Sequence, residues 1–326
     1  MRKLPCLNYR PSRKSSSSGF LAVLVTAIGL AGIPLSAMAQ APRPVKIAFV
    51  AKAYIKDFWI QYKKGALAAG LEPGVTVIES AAASESDTRG QIAIIQALLL
   101  QGIDALVVTP VSPAVQPALE EAVAQGVKVV LANDDLVSFT KKVAYVGPDQ
   151  SASAVGGASY LVEKLGRGIH VGILTAPGID PVERRLKGVE AFFKQAGVDV
   201  VAKLSAGQCN QTQGQNVTLD MLQAHPQVDV IYSLCSPPDL GSIQAIEQLR
   251  LRAGIGIHVA GYDGSPQEFA AIKAGRLMMA VYQRPFDQGR IAVETAVKAA
   301  RGESVPQFIP TSYVIVDSTN VDAYLK

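Results

Sequence analysis

The sequence predicts an α/β protein with two doubly wound lobes, each a parallel sheet covered by helices. From Val45 onward, short β-branched and apolar runs alternate with longer segments of helical periodicity, a pattern typical of parallel strands joined by helices. The second half of the chain then repeats the order of the first half. A chain of 326 residues is also longer than one hydrophobic core usually serves. We therefore expect two similar lobes that face each other across a cleft.

Ten strands and seven helices follow from the apolar pattern. Strands such as KIAFVA and ALVVT are almost continuously apolar, as strands buried on both faces should be. The strands are expected at 46–51, 76–80, 105–109, 128–132, 144–146, 170–174, 200–205, 230–233, 258–261 and 278–281. The helices are expected at 58–69, 88–101, 115–125, 184–196, 212–224, 240–249 and 266–274.

An internal repeat supports the two-lobed design. Gly90 precedes Asp104 by 14 residues, and Gly214 precedes Asp229 by 15, each pair with a Gly-Gln dipeptide at its start and a buried strand at its end. A further strand follows each, VVLAND closing on Asp134 and HVAGYD closing on Asp263. This spacing is hard to obtain from two unrelated halves.

Residues 1–39 are predicted to be a cleaved secretion signal, with a basic start, an apolar run at 20–35 and small residues before a cleavage point after Ala39. The alternative is a transmembrane anchor, but the run is short for a span of about 20 residues. No cysteine lies at the cleavage point, so we expect a freely soluble protein outside the cytoplasm. Without the leader, 26 basic residues face 27 acidic ones, which argues against nucleic acid as a partner.

The side chains give little support to catalysis, and we expect neither a catalytic residue nor a metal or other cofactor. The chain has only three histidines, and two of them begin strand patterns. It has no phosphate-binding G-x-x-x-x-G-K-[ST] loop, no G-x-G-x-x-G after a strand and no G-x-S-x-G elbow. Cys235 could be a nucleophile, but no base is evident for it.

A binding cleft is better supported. Open α/β sheets hold ligands at the carboxyl ends of their strands, and polar residues follow several strands here. Carboxylates and amides bind vicinal hydroxyls, while aromatic rings offer flat apolar faces, so the set suits a polyhydroxylated ligand. The candidates are Lys52, Phe58 and Trp59 after the first strand, with Thr109, Asn133, Asp134, Asp135, Cys235, Ser236 and Asp263 at later strand ends.

Each candidate has an alternative interpretation. Phe58 recurs at helical spacing with Tyr62, so it could be core, and Asp134 or Asp263 could cap a helix. Arg184 and Arg185 taken alone would be solvated. The position of Arg184 just after the loop APGIDP makes it a candidate for ligand contact.

The chain resembles bacterial periplasmic sugar-binding proteins of the ribose, galactose and arabinose type, which have the type I substrate-binding fold. The resemblance covers about residues 45–313 and is carried by KIAFVAKAYIKDFWIQYKKGA, QGIDALVVTPVSPAV, LTAPGIDPVERRLKGVEAF and VAGYDGSPQEFAAIKAGRLMMAVYQRPFDQG. It implies a monomeric receptor that closes on a sugar or polyol and docks to the membrane permease of an ABC transporter. A periplasmic sensor that signals to a chemoreceptor or a histidine kinase is the alternative.

The resemblance also implies a ligand set. Lys52 and Phe58 match the first-turn contacts of arabinose-type members, and Asp263 and Gln283 match the strand-end aspartate and the hinge glutamine. Thr109 stands where many members carry an asparagine. The chain departs from the ribose pattern at 133–135, Asn-Asp-Asp, and at Cys235, where an asparagine is common.

The same resemblance implies three crossings between the lobes, near 146–149, 283–286 and 309–313. The first lobe would then comprise 45–147 with 285–311, and the second 148–284 with 312–326.

Cys209 and Cys235 are the two cysteines outside the predicted leader, and both lie at the ends of predicted neighbouring strands. In an oxidising compartment, an even number of cysteines favours a disulfide. We therefore expect a Cys209–Cys235 bond, with two buried free thiols as the alternative.

Overall fold

The computed structural model describes residues 44–325, so the predicted leader lies outside the described residues. The described chain forms two six-stranded sheets, which confirms the predicted fold class. The strands are β1 (Val45–Ala51), β2 (Val75–Ala81), β3 (Ala105–Val108), β4 (Lys128–Ala132), β5 (Ala144–Gly147), β6 (His170–Thr175), β7 (Asp199–Ser205), β8 (Val230–Ser233), β9 (His258–Asp263), β10 (Met279–Tyr282), β11 (Phe308–Pro310) and β12 (Val314–Asp317). The helices are α1 (Asp57–Ala69), α2 (Thr88–Leu99), α3 (Gln116–Ala124), α4 (Gln150–Leu165), α5 (Asp180–Ala196), α6 (Gln211–Ala224), α7 (Pro238–Gln248), α8 (Pro266–Lys273) and α9 (Pro285–Ala300).

The two sheets have the same strand order. It is β11-β5-β4-β3-β1-β2 in the first and β12-β10-β9-β8-β6-β7 in the second. All pairs are parallel except that of β10 with β12. We call each sheet with the helices packed on it a lobe.

Alternate residues of β1 enter opposite layers of the core. Ile47 and Phe49 lie under α1 and α9, whereas Ala48 and Val50 lie under α2 and α3. The second sheet is covered in the same way, by α4 and α5 on one face and by α6, α7 and α8 on the other. Coverage on both faces explains why these strands are continuously apolar.

The repeat detected in the sequence has a physical basis. Asp104 ends the turn before β3, and its Oδ2 accepts a hydrogen bond from the Lys46 amide at 2.9 Å. Asp229 takes the same place before β8, and its Oδ2 accepts from the His170 amide at 2.9 Å. Each aspartate thus satisfies a backbone donor at the start of the strand beside its own, β1 in the first lobe and β6 in the second.

The chain passes between the sheets three times. The passages lie between β5 and α4, between β10 and α9, and between β11 and β12. Helix α4 packs on the second sheet through Ala154 and Ala158, and α9 packs on the first sheet through Ala292 and Val293. The three passages therefore lie side by side at the junction of the two lobes.

All ten predicted strands and all seven predicted helices are present, but the sequence analysis missed α4, α9, β11 and β12. Helix α4 contains a Gly-Gly pair, and glycine is a poor helix former. Gly157 is required there by packing, since a Cβ would lie 2.3 Å from the Tyr232 hydroxyl. Helix α5 begins at Asp180, four residues before the predicted start, with Pro181 in its first turn.

Among residues 44–325, none of the helices has the length and apolarity to cross a membrane.

Candidate ligand cavity between the lobes

A cavity of about 80 Å³ lies at the carboxyl ends of the strands, where the two lobes meet. Pockets for small molecules usually measure about 300–1,000 Å³, so this cavity is too small for an oligosaccharide. A groove of about 550 Å³ shares Lys52, Glu85, Asp134, Ile179 and Pro181 with the cavity and leads to it from outside.

Nine of the twelve candidate binding residues line this cavity. The three exceptions are Thr109, Asp135 and Arg184. Thr109 is buried in the first lobe. Asp135 and Arg184 lie in the entrance groove, where Arg184 pairs with Asp180 at 2.8 Å. The lining candidates are Lys52, Phe58, Trp59, Asn133, Asp134, Cys235, Ser236, Asp263 and Gln283.

The first-lobe wall of the cavity is charged but internally paired. Lys52 forms an ion pair with Asp134, and Lys56 pairs with Glu85 at 2.9 Å. Trp59 Nε1 donates to Glu85 Oε1 at 2.5 Å. Burial disfavours the Glu85 carboxylate, but Lys56 and Trp59 outweigh that effect, so the pKa of Glu85 lies below its usual value.

The aromatic side chains form a compact group on the same wall. The Phe58 and Trp59 rings meet edge to face with centroids 4.8 Å apart, and both lie against Tyr62. Phe58 and Trp59 line the cavity and also pack against the first-lobe core. Phe58 therefore combines packing on the core with a place in the cavity wall.

Asn133 and Asp263 occupy equivalent positions in the two lobes. Lys128 begins β4 opposite Ala105, and His258 begins β9 opposite Val230, so counting along each strand aligns Asn133 with Asp263. Both have left-handed backbone, with φ of 64° and 83°, which is uncommon for residues other than glycine. The sequence analysis aligned Asp134 with Asp263, which is wrong by one residue. Asp134 is instead the ion-pair partner of Lys52.

Two routes join Asn133 to Asp263, the first through hydrogen bonds alone and the second through hydrogen bonds and an ion pair. In the first, Asn133 Nδ2 donates to Gln288 Oε1 at 3.0 Å, and Gln288 Nε2 donates to the Gln283 carbonyl at 2.6 Å. Gln283 Nε2 then donates to Asp263 Oδ1 at 2.5 Å. This route spans the passage between β10 and α9.

The second route runs through Arg185 and Gln150. Gln150 Nε2 donates to the Asn133 carbonyl at 3.3 Å, and Arg185 Nε donates to Gln150 Oε1 at 2.9 Å. Arg185 Nη1 lies 3.8 Å from Asp263 Oδ1. We call the closed circuit of Asn133, Gln288, Gln283, Asp263, Arg185 and Gln150 the polar ring.

Arg185 corrects the expectation that this arginine is solvated. It is only 4% exposed, its guanidinium lies 3.8 Å from the centre of the Tyr262 ring, and Nη1 donates to the Leu234 carbonyl at 2.8 Å. The sequence held a signal for this. Val182, Arg185 and Val189 are spaced three and four residues apart, which places Arg185 on the buried face of α5.

Two buried acceptors that line the cavity have no hydrogen-bond donor among the described residues. They are Gln283 Oε1 and Asp134 Oδ1. An unsatisfied buried acceptor costs free energy, and such groups are satisfied when a ligand hydroxyl donates to them.

The sequence analysis did not identify Lys56 and Glu85 as residues of the cavity, although both lie in loops that follow strands of the first sheet.

Cys209 and Cys235 form a disulfide with Cα atoms 6.0 Å apart. The bridge joins the start of α6 to the loop after β8 and lines the cavity. Within residues 44–325, no group of three or more His, Cys, Asp or Glu side chains is placed to hold a metal ion.

A buried carboxyl pair supports the second-lobe side of the cavity. Burial raises the pKa of Asp239 to about 6, and burial together with Asp239 raises the pKa of Glu268 well above its usual value. Glu268 Oε2 accepts from the Ser236 hydroxyl at 3.0 Å and from the Ser265 amide at 2.6 Å. Ser236 itself lines the cavity, so this pair lies one side chain away from it.

Comparison with known proteins gives consistent matches. The family model described as periplasmic binding protein domain matches residues 47–304. The ribose import binding protein of Bacillus subtilis is 31% identical over 254 residues, covering 77% of this chain and 80% of that protein. The D-ribose/D-allose-binding protein of Pseudomonas aeruginosa is 28% identical over 302 residues, covering 90% of this chain and 94% of that protein.

Solved structures show the same architecture. A periplasmic solute-binding protein of an ABC transporter from Actinobacillus succinogenes, with D-allose bound, superposes with a TM-score of 0.80. It is 26% identical, and the match covers 86% of this chain and all of that one.

Proposed function

This chain belongs to the periplasmic binding protein family, and on that basis we propose that it is a periplasmic receptor that binds a monosaccharide or related polyol between its lobes and delivers it to an ABC-transporter permease. The observation that carries the proposal is the cavity at the lobe junction. It is lined by the unsatisfied acceptor Gln283 Oε1, beside the Asp263 carboxylate, and by the rings of Phe58 and Trp59. A sugar has hydroxyl donors at its edges and apolar faces, which suits both features.

The charges favour a neutral ligand over an acidic one. Lys52 is paired with Asp134, Lys56 with Glu85, and Arg185 with Asp263. An anionic ligand would have to displace one of these carboxylates to gain a cation. A neutral sugar only needs to accept from the cations and donate to the carboxylates.

Transport is favoured over sensing because the Bacillus subtilis relative is named an import binding protein. We place the lobe boundaries at 45–147 with 285–311 and at 148–284 with 312–326. The ligand bridges both lobes and stabilises the closed arrangement, so binding increases the fraction of molecules that are closed. We also propose that the protein acts as a monomer without catalysis or a cofactor, and that residues 1–39 direct it to the periplasm.

A thermal-shift screen of the mature protein against pentoses, hexoses, polyols, small carboxylic acids and amino acids tests the proposal. A ligand that binds only the native state raises the melting temperature, by an amount that grows with its concentration over Kd. We expect at least one neutral monosaccharide or polyol to do so. A response to acids or amino acids alone would overturn the assignment.

A further inference from the structure

The second-lobe wall of the cavity differs in chemistry from the rest of its lining. Five neighbouring side chains of that wall are apolar or disulfide-bonded, and they come from the start of α5 and from the loops after β7 and β8. They are Ile179, Pro181, Val182, Cys209 and Cys235. The charged residues Lys52, Lys56, Glu85 and Asp134 of the first lobe line the same cavity, as do Asn133, Gln283, Asp263 and Arg185 of the polar ring.

The two donors of Ser236, which lies beside this wall, are already used. The Ser236 amide donates to Asp263 Oδ2 at 3.1 Å, and its hydroxyl donates to Glu268 Oε2 at 3.0 Å. The two cysteines have lost their thiol hydrogens to the bridge, and a disulfide sulfur is at most a weak acceptor. Val182 is 2% exposed and Cys235 is 3% exposed, so water does not replace the missing partners.

A ligand hydroxyl turned toward this wall would therefore lose its bonds to water and gain none, which is unfavourable. A methyl or methylene group at the same place has no hydrogen bonds to lose, and it would gain van der Waals contact with the sulfurs and with Val182. The wall thus selects against a fully hydroxylated ring edge.

We propose that the ligand is a deoxy sugar, a monosaccharide that carries a methyl or methylene group on the edge facing the Cys209–Cys235 bridge. This inference rests on the proposed function, because it specifies which sugars the cavity prefers. The apolar wall that contains the bridge is then the specificity-determining element of the site.

Matched sugar pairs test the inference on the unmodified protein. Calorimetric titrations would compare D-galactose with D-fucose, L-mannose with L-rhamnose, D-glucose with 6-deoxy-D-glucose, and D-ribose with its 2-deoxy and 5-deoxy forms. In the pair that contains the tightest ligand, we expect the deoxy member to bind at least about tenfold more tightly. A hydroxylated member that binds as tightly or more tightly in that pair would overturn the inference and leave the proposed function standing. Binding of no sugar at all would overturn both.

Two double variants then locate the source of the preference. Cys209→Ala with Cys235→Ala keeps an apolar wall without the bridge, and we expect it to keep the deoxy preference. Cys209→Ala with Cys235→Asn adds an amide, and we expect the preference to fall at least about tenfold. Equal preferences in the two variants would show that this wall does not set specificity.

Val182→Thr gives a second test if the asparagine variant does not fold. It replaces a methyl group with a hydroxyl of similar size on the same wall and leaves the bridge intact. We expect it to lower the deoxy preference while its circular-dichroism melting curve stays cooperative. An unchanged preference in a folded Val182→Thr protein would count against the inference.

Discussion

Asn133 and Asp263 are the same position in two copies of one fold, and the polar ring joins them across the junction of the lobes. Each ends a strand in left-handed backbone, with φ of 64° and 83°, and such backbone persists only where the surroundings hold it. One residue contributes an amide and the other a carboxylate. The two ends of the repeat have thus diverged chemically while retaining the same backbone conformation.

Gln288 is the link in the polar ring that can be tested apart from the cavity. Its side chain is fully buried, accepts from Asn133 at 3.0 Å and donates to the Gln283 carbonyl at 2.6 Å. Gln288→Ala leaves both groups buried without these partners, so we expect a loss of about 1–3 kcal/mol in the free energy of unfolding. Chemical denaturation of the variant and the wild type measures this loss. Gln223→Ala, on the exposed side of α6, should change stability by less than about 0.5 kcal/mol, and equal effects would contradict the role of the ring.

The Asp239 and Glu268 pair predicts a pH dependence of stability. Both pKa values are raised by burial, that of Asp239 to about 6, so the folded state holds more protons than the unfolded state above about pH 4. The stability that comes from this proton uptake is therefore complete in acid and is lost as pH rises toward the folded pKa values.

Glu268→Gln isolates that effect. The amide can donate where the protonated carboxyl donates and can accept from Ser236 and Ser265. We expect the variant to gain stability relative to the wild type as the pH rises above about 4, because it has no proton to lose at this position. Denaturation at several pH values measures the difference. Glu303→Gln, at an exposed position, serves as the control, and parallel pH slopes for wild type and Glu268→Gln would contradict the prediction.

The contact between α1 and α9 predicts a large effect from one methyl group. A Cβ at Gly65 would lie 1.8 Å from the Phe286 carbonyl oxygen, a backbone atom that cannot turn aside. Gly65→Ala should therefore lower the free energy of unfolding by about 1–3 kcal/mol or more. A Cβ at Gly168 would meet nothing within 4 Å, so thermal unfolding of Gly168→Ala should resemble the wild type. Similar melting temperatures for the two variants would show that the helices are not packed as described.

Trp59 provides an optical signal for binding because it is the only tryptophan of the chain. Its indole lines the cavity and donates to Glu85, so a ligand that displaces the cavity water changes the surroundings of the ring. We expect a saturable change in tryptophan emission whose midpoint agrees with the calorimetric Kd. Binding by calorimetry with constant emission would place the ligand away from Trp59.

The sequence predicted the strands well because burial on both faces leaves a continuous apolar run, as in β3 and β8. Helix α4 was missed because its Ser, Gly and Ala residues make little amphipathic pattern, although Ala154 and Ala158 are fully buried. Strand β11 is three residues long and ends in Pro310, too short for periodicity to reveal.

The candidate site was predictable wherever a residue directly ends a strand, as with Asn133 and Asp263. The polar ring was not, because it depends on which of two adjacent arginines faces inward and on where the three passages bring glutamines together. Gln150 and Gln288 lie 138 residues apart in sequence, and only the paired passages of the chain place both beside Asn133.

The most direct test of a sugar site at the lobe junction is calorimetric titration of the best monosaccharide into three proteins: wild type, Asp263→Asn and Asp180→Asn. Asp263 lines the cavity, whereas Asp180 lies in the entrance groove and pairs with Arg184. We predict one site per chain, an affinity lowered at least about tenfold in Asp263→Asn, since hydrogen bonds to a charged group contribute about 1.5–3 kcal/mol, and little change in Asp180→Asn. Equal affinities in all three folded proteins would contradict the account.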